Sequence, residues 1–263
     1  MSDNFQSWTD ISILGSGGFG KVCKVCTDTG SILAAKYIET SAMSADSQRE
    51  VQNEVSTLRQ LDHPNIVRFV TAKHQGNKLV VFTELIEGSD LSELGQLAEQ
   101  RAVGFLHQIC KGLLYLHTRN PPVLHRDLKG QNIMVTREGI VKIIDFGLSI
   151  KLNMEMKRGM QATDILMTCT NACGTLPFMA PNVKSDVWAL GITVYQMISG
   201  AVPFYTKSTT EIIDTVTGSG APSRLPVKCS AQLSDFYSSC TALDPGRRPP
   251  VRELLQHPIF SGY

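Results

Sequence analysis

Neither sign of charge is in excess: 25 Lys and Arg stand against 24 Asp and Glu, a formal net charge of +1 over 263 residues. A balance this even gives no electrostatic pull toward nucleic acid or an anionic membrane. Aromatics are thin as well, with two Trp and six Tyr, and no basic run is interleaved with them. No apolar window approaches the ~20 residues that a spanning helix needs. The opening MSDNFQSWTD is too polar for a secretory signal. Seven cysteines, odd in number and without framework spacing, favour a reducing and therefore cytoplasmic setting. Cys23 and Cys26 do form a C-x-x-C, but on a strand their thiols fall on opposite faces, and no second pair completes a zinc site. The 42% of hydrophobic residues is enough for a sizeable core, as one large domain or two lobes.

What the chain does have is concentrated in residues 124–147, LHRDLKGQNIMVTREGIVKIIDFG. Two apolar runs, 133–135 and 140–144, flank Arg137-Glu138-Gly139, which predicts a tight hairpin with Glu-Gly at its turn. A hairpin brings its ends together, so Asn132 and Asp145 should sit side by side. Two oxygen ligands at one spot, with Lys129 and Asp127 nearby, suit Mg²⁺ and a polyphosphate.

Upstream, residues 7–38 read as a three-stranded antiparallel meander with a turn at Asp28-Thr29-Gly30. Its first turn is Gly15-Ser16-Gly17-Gly18-Phe19-Gly20, a G-x-G-x-x-G that also opens dinucleotide-binding folds. There a helix follows; here another β-run does, so the dinucleotide context fails. A glycine-rich hairpin tip whose backbone approaches phosphates fits instead. Residues 47–61 predict a helix with Val51, Val55 and Leu58 on its apolar face. His63-Pro64 ends it, and residues 66–70 and 79–83 supply two further strands. From Gly88 the composition turns helical, with a short segment at 91–97 and a long buried helix at 98–116. The polar run from 148 to 173 has no periodicity and reads as a long functional loop. Helices are predicted at 185–198, 209–215 and 231–243.

These residues resemble the catalytic core of the eukaryotic protein kinases. His125-Arg126-Asp127-Leu128-Lys129-Gly130-Gln131-Asn132 matches H-R-D-L-x-x-x-N, and Asp145-Phe146-Gly147 matches D-F-G. The glycine turn with Val22 becomes G-x-G-x-x-G-x-V, and Ala34-Ala35-Lys36 stands where the family carries V-A-I-K. Gly174-Thr175-Leu176-Pro177-Phe178-Met179-Ala180-Pro181 and Ser185-Asp186-Val187-Trp188 complete a likeness running from about Trp8 to Phe260.

The resemblance implies a two-lobed α+β fold: a kinase domain over 8–263, with a five-stranded antiparallel sheet and one helix in 8–84, a hinge at 85–87 and a mostly helical lobe in 88–263. It implies ATP and Mg²⁺ as cofactors and a Ser or Thr hydroxyl of a protein as acceptor. Asp127 would orient the attacking hydroxyl and Lys129 would stabilise the transferred phosphoryl group; Asn132 and Asp145 would hold metal. Lys36, paired with Glu54, would set the phosphates. Gly15, Ser16, Gly17, Gly18, Phe19, Gly20, Val22 and Ala34 would enclose the nucleotide. Thr83 would be the gatekeeper, and the backbone of Glu84 and Ile86 would meet the adenine edge. Arg126 would pair with a phosphorylated Thr168 or Thr170. Thr175, Asp186 and Arg248 would be structural, and Lys129 with Thr175 points to Ser/Thr and not Tyr. The likeness is strongest to the MAP kinase kinase kinase group, whose substrate is a downstream kinase.

Two departures stand out. The family's A-P-E is Ala180-Pro181-Asn182 here, which removes the carboxylate expected to pair with Arg248. The junction from Asn182 to Ser185 is also short, which bears on peptide docking and not on the nucleotide residues. Both keep a second reading open: a pseudokinase acting as nucleotide-binding scaffold or allosteric partner.

Overall fold

A computed structural model describes residues 4–17, 20–41, 49, 52, 55–56, 58–120, 122–145, 184–203, 224–225 and 228–263. Gly18, Phe19, Glu54, Phe146, Thr168, Thr170, Thr175, Asn182 and the helix expected at 209–215 lie outside them.

The first lobe is one antiparallel sheet of β1 (Trp8–Gly17), β2 (Gly20–Thr27), β3 (Ile32–Glu39), β4 (Phe69–Gln75) and β5 (Lys78–Glu84) in the order β1-β2-β3-β5-β4. The β2–β3 turn is the expected one, with Gly30 at φ 82°, a conformation that suits glycine. Alternation sorts the side chains onto two faces. Cys23, Val25, Leu33, Ala35, Val80 and Phe82 form an outer cluster closed by Phe5, whose ring is fully buried edge-on to Phe82 and Trp8. Leu79 and Val81 point the other way and pack with Val55 from the helical stretch whose described residues fall within 49–58. Being covered on both faces, β5 reads as the continuous apolar run Leu79-Val80-Val81-Phe82.

β4 begins at Phe69, not at the expected 66. Residues 65–67 are instead taken by the second lobe: Val67 N donates to Ile143 O (2.9 Å) and Ile143 N to Asn65 O (2.9 Å), with Ile66 buried against the same strand. A second correction falls at Gly88. The segment expected to turn helical starts with β6 (Gly88–Asp90), paired with β7 (Ile133–Thr136), which pairs with β8 (Val141–Ile143). A Cβ on Gly88 would lie 2.1 Å from Val135 O, so the missing side chain is what lets these strands meet. Residues 91–94 are turns, not helix, because the Asp90 carboxylate accepts from Ser92 N (2.8 Å) and Glu93 N (3.2 Å).

The second lobe is built on α1 (Glu99–His117), α2 (Ser185–Ser199), α3 (Ala231–Cys240) and the short α4 (Val251–Leu254). α1 buries Val103, Leu106, Ile109, Leu113 and Leu116, the face read from its periodicity. α2 ends at Gly200, left-handed at φ 73° with its N–H on Gln196 O (2.8 Å). Arg248 is 2% exposed, as a buried structural residue should be. Its guanidinium donates to Ala242 O (2.7 Å) and Leu243 O (3.3 Å) and lies 4.9 Å from the Trp188 ring centroid, while Asn182 lies outside the described residues. No described helix is long and apolar enough to cross a membrane.

Phe5 closes a core it joins only through tertiary packing. Phe5→Ala should cost about 3–5 kcal/mol, read as a lower urea midpoint with unchanged m-value.

Candidate active site

The β7–β8 hairpin turns at Gly139, φ 81°, and closes at its open end through Ile144 N to Asn132 O (2.9 Å). Asn132 and Asp145 thereby reach one cavity of about 480 Å³ between the lobes. Leu14, Gly15, Val22 and Ala34 line it from the sheet, Thr83 to Ile86 along one edge, and Lys36 beside Asp145. Leu58, Leu61, Phe69 and Thr83 also line it. The size suits a nucleotide-sized ligand. Ser16 is exposed on the glycine-rich hairpin. Gly20 sits at φ 112°, where a Cβ would strike Tyr37 O at 2.1 Å.

Asp127 is the polar centre. Asn132 Nδ2 donates to its backbone O (2.8 Å) and to Oδ2 (2.9 Å), and Lys129 Nζ lies 3.0 Å from the same Oδ2. Its other oxygen, Oδ1, is buried without a hydrogen-bond partner among the described residues. Burial raises the Asp127 pKa above the carboxylate norm of 3.8, opposed by Lys129. An acceptor kept open at 4% exposure is costly unless something comes to use it.

The loop that carries Asp127 is held in an unusual shape. Arg126 has φ 65° and Asp145 φ 59°, left-handed values that cost a non-glycine residue about 1 kcal/mol or more each. Asp186, at the start of α2 and 1% exposed, supplies the restraint. Its Oδ2 accepts from His125 N (2.9 Å) and Oδ1 from Arg126 N (2.7 Å). His117 Nε2, from the end of α1, meets Oδ2 at 2.8 Å, and the His125 ring meets Ile144 O at 2.9 Å. Burial would raise the Asp186 pKa, but these partners outweigh it and hold it below 3.8.

Sequence reasoning missed two contributors. His117 carries no motif and lies seven residues before Leu124. Lys142 forms a bridge of 2.7 Å to Glu84 Oε1, which also accepts from Arg68 N (2.9 Å), tying β8 to β5. The Lys36 ammonium pairs with Asp145 Oδ1, while its expected partner Glu54 lies outside the described residues.

The cavity between the sheet lobe and the helical lobe thus has Gly15 and Val22 on one side and Asn132 and Asp145 on the other. The protein kinase domain model matches residues 8–260, and the chain belongs to that family. Among its relatives, a probable serine/threonine-protein kinase of Dictyostelium discoideum is 31% identical over 260 residues, covering 94% of this chain and 50% of the relative. A mitogen-activated protein kinase kinase kinase of Pyricularia oryzae is 31% identical, covering 97% and 30%. The mitogen-activated protein kinase kinase kinase 2 of Arabidopsis thaliana is 30% identical, covering 97% and 41%. The chain thus spans half or less of these relatives.

Because the folded pKa of Asp186 is depressed, its stabilisation is full above pH 3.8 and is lost as pH falls through the lower folded value. Asp186→Asn should lose about 1–3 kcal/mol at pH 7, since its amide turns a donor toward backbone N–H groups. Below pH 3.8 the gap between the variant and the parent should narrow in denaturant titrations.

Proposed function

We propose that this chain is a protein serine/threonine kinase that transfers the γ-phosphoryl of Mg·ATP to a Ser or Thr hydroxyl of a protein. The open Oδ1 of Asp127 beside Lys129 carries this reading. An alcohol entering there would donate its hydrogen bond to Oδ1 and be aligned for attack, while the Lys129 ammonium meets charge on the transferred group. Adenine would lie against Ala34 and Val22, its edge on the backbone of Glu84 and Ile86 at the 85–87 hinge, with Gly15 to Gly20 over the phosphates. Thr83 would be the gatekeeper.

The donor set fits Mg²⁺. Asp145 offers a carboxylate and Asn132 an amide oxygen, hard ligands too few for a protein-only cage but apt for an ion that keeps water and phosphate oxygens. When bound, the ion would neutralise the triphosphate and leave the protein to orient and to exclude water. Lys36, already beside Asp145, is in reach of the same phosphates, with Glu54 as its partner from the helix. Lys129 together with Thr175 favours Ser/Thr over Tyr, and Arg126 with a phosphorylated Thr168 or Thr170 would order the 148–173 segment.

The printed names of two relatives, mitogen-activated protein kinase kinase kinases, support a downstream kinase as substrate. ATP as co-substrate and free thiols at all five described cysteines suit the cytoplasm.

Radiolabelled γ-phosphate transfer to a generic basic protein tests the reading. Asp127→Asn and Asp145→Asn should each lower kcat by about 10²-fold or more. Undiminished transfer in Asp127→Asn would remove the assignment. Nucleotide-dependent thermal stabilisation without transfer in the parent would favour the scaffold reading.

A further inference from the structure

The sheet side of the cavity rests on β1, and β1 is weakly held. Its pairing to β2 breaks register twice, between Asp10 and Ser12 and between Ile13 and Gly15. Such bulges bend a strand and leave its ladder locally open. Packing does not compensate: Ile11, Ile13 and Leu14 are 52%, 65% and 50% exposed. The ladder resumes from Gly15–Val22 to Gly17–Gly20, so backbone pairing and burial are weakest between Asp10 and Gly15, the stretch of β1 that leads into the glycine-rich hairpin.

A side-chain chain spans this gap on the outer face of the sheet. Trp8 Nε1 donates to the Tyr37 hydroxyl (2.9 Å), and that hydroxyl donates to Asp10 Oδ1. Asp10 Oδ2 accepts from Lys21 Nζ at 3.0 Å, and the Lys21 ammonium lies 5.8 Å from the Tyr37 ring centroid. Trp8 and Asp10 are on β1, Lys21 is on β2 directly after Gly20, and Tyr37 is on β3 directly after Lys36. Consecutive strand residues face opposite ways. Lys36 thus lines the cavity while Tyr37, one peptide on, packs against the outer cluster. The Tyr37 carbonyl also fills the space a side chain at Gly20 would need.

We propose that Tyr37 is a positioning residue: through Trp8 and Asp10 its hydroxyl fixes the glycine-rich hairpin over Lys36, and so sets nucleotide affinity without touching the nucleotide. The hydroxyl stays protonated as a donor, since burial and Asp10 push its pKa up to about 12. The Lys21–Asp10 arm is exposed on both sides and contributes least. The Trp8–Tyr37 bond is part-buried and carries most of the restraint, with the more exposed Tyr37–Asp10 bond tying it to β1. The inference rests on the nucleotide reading of the cavity, and its test separates the two.

Tyr37→Phe removes the hydroxyl and keeps the ring in the cluster. Asp10→Ala removes the acceptor, and Tyr263→Phe, which loses a hydroxyl bond to Gln100 O elsewhere (3.0 Å), serves as the control. Amide hydrogen exchange over residues 10–22 in nucleotide-free protein should quicken in Tyr37→Phe and Asp10→Ala, and not in the control. The KM for ATP should rise roughly threefold to tenfold, with kcat changed less than twofold. The double variant should be no worse than either single one. Unchanged exchange, or faster exchange with unchanged KM, overturns the proposal. Faster exchange in a parent that binds no ATP keeps the latch and removes the nucleotide reading instead.

Discussion

One buried carboxylate sets the shape of the catalytic stretch. Asp186 is the first acidic residue of α2 and lies under the loop from His125 to Asp127, where it accepts two consecutive backbone N–H groups. Those two amides cannot be satisfied by strand or helix pairing, because the loop turns through a left-handed Arg126. Without the carboxylate both the strain and two buried donors would stand uncompensated. With it, Asp127 is delivered to the cleft in a fixed pose, and its open oxygen becomes tolerable. His117 extends the restraint to α1, so two core helices share control of one loop. The stability of the helical lobe and the geometry of the site are one property here, since the same side chain serves both.

The second constraint joins the lobes. Asn65 Nδ2 donates to Val141 O (2.9 Å) and to Gln108 Oε1 (3.1 Å), while Gln108 accepts from Val141 N (2.9 Å) and donates to Gly139 O (3.0 Å). Together with the Val67–Ile143 and Lys142–Glu84 links, this staples the segment after the first-lobe helix to the hairpin that carries Asn132 and Asp145. Asn132, Asp145 and the sheet of the first lobe are therefore referenced to the same strand, β8. A cleft whose walls are tied at its back can vary its mouth while keeping its depth.

Local signals made much of this legible. The β7–β8 hairpin followed from two apolar runs and a Glu-Gly turn, and the long α1 from its period, because local pattern and tertiary demand agree there. The candidate site residues stood out in the sequence because the chemistry implied by the resemblance draws on few residue types at short spacing. What escaped was set at a distance. Residues 66–70 have the composition of a strand, yet 65–67 were claimed by β8 from the other lobe. Gly88 looked like a helix approach, yet its lack of a side chain serves a strand contact with Val135. His117, Lys142 and Tyr37 act through partners 27 to 69 positions away, and no local pattern encodes such pairs.

Arg248 shows how a fold absorbs a lost partner. The sequence removes a carboxylate at position 182, and a buried guanidinium left alone would cost about 3–5 kcal/mol. The structure surrounds that group differently: carbonyls of Ala242 and Leu243, past the end of α3, accept its N–H groups, and the Trp188 ring lies against its plane. Carbonyl dipoles and a π-face supply negative potential without a second charge to desolvate. Burial still pulls the Arg248 pKa below its ordinary value, so the group is held at some cost, but it is held. Those carbonyls lie two and three residues past Cys240, the last residue of α3, in the chain that leaves the helix. The buried guanidinium thus finds acceptors in irregular backbone, which has carbonyls to spare because no helix or strand pairing uses them.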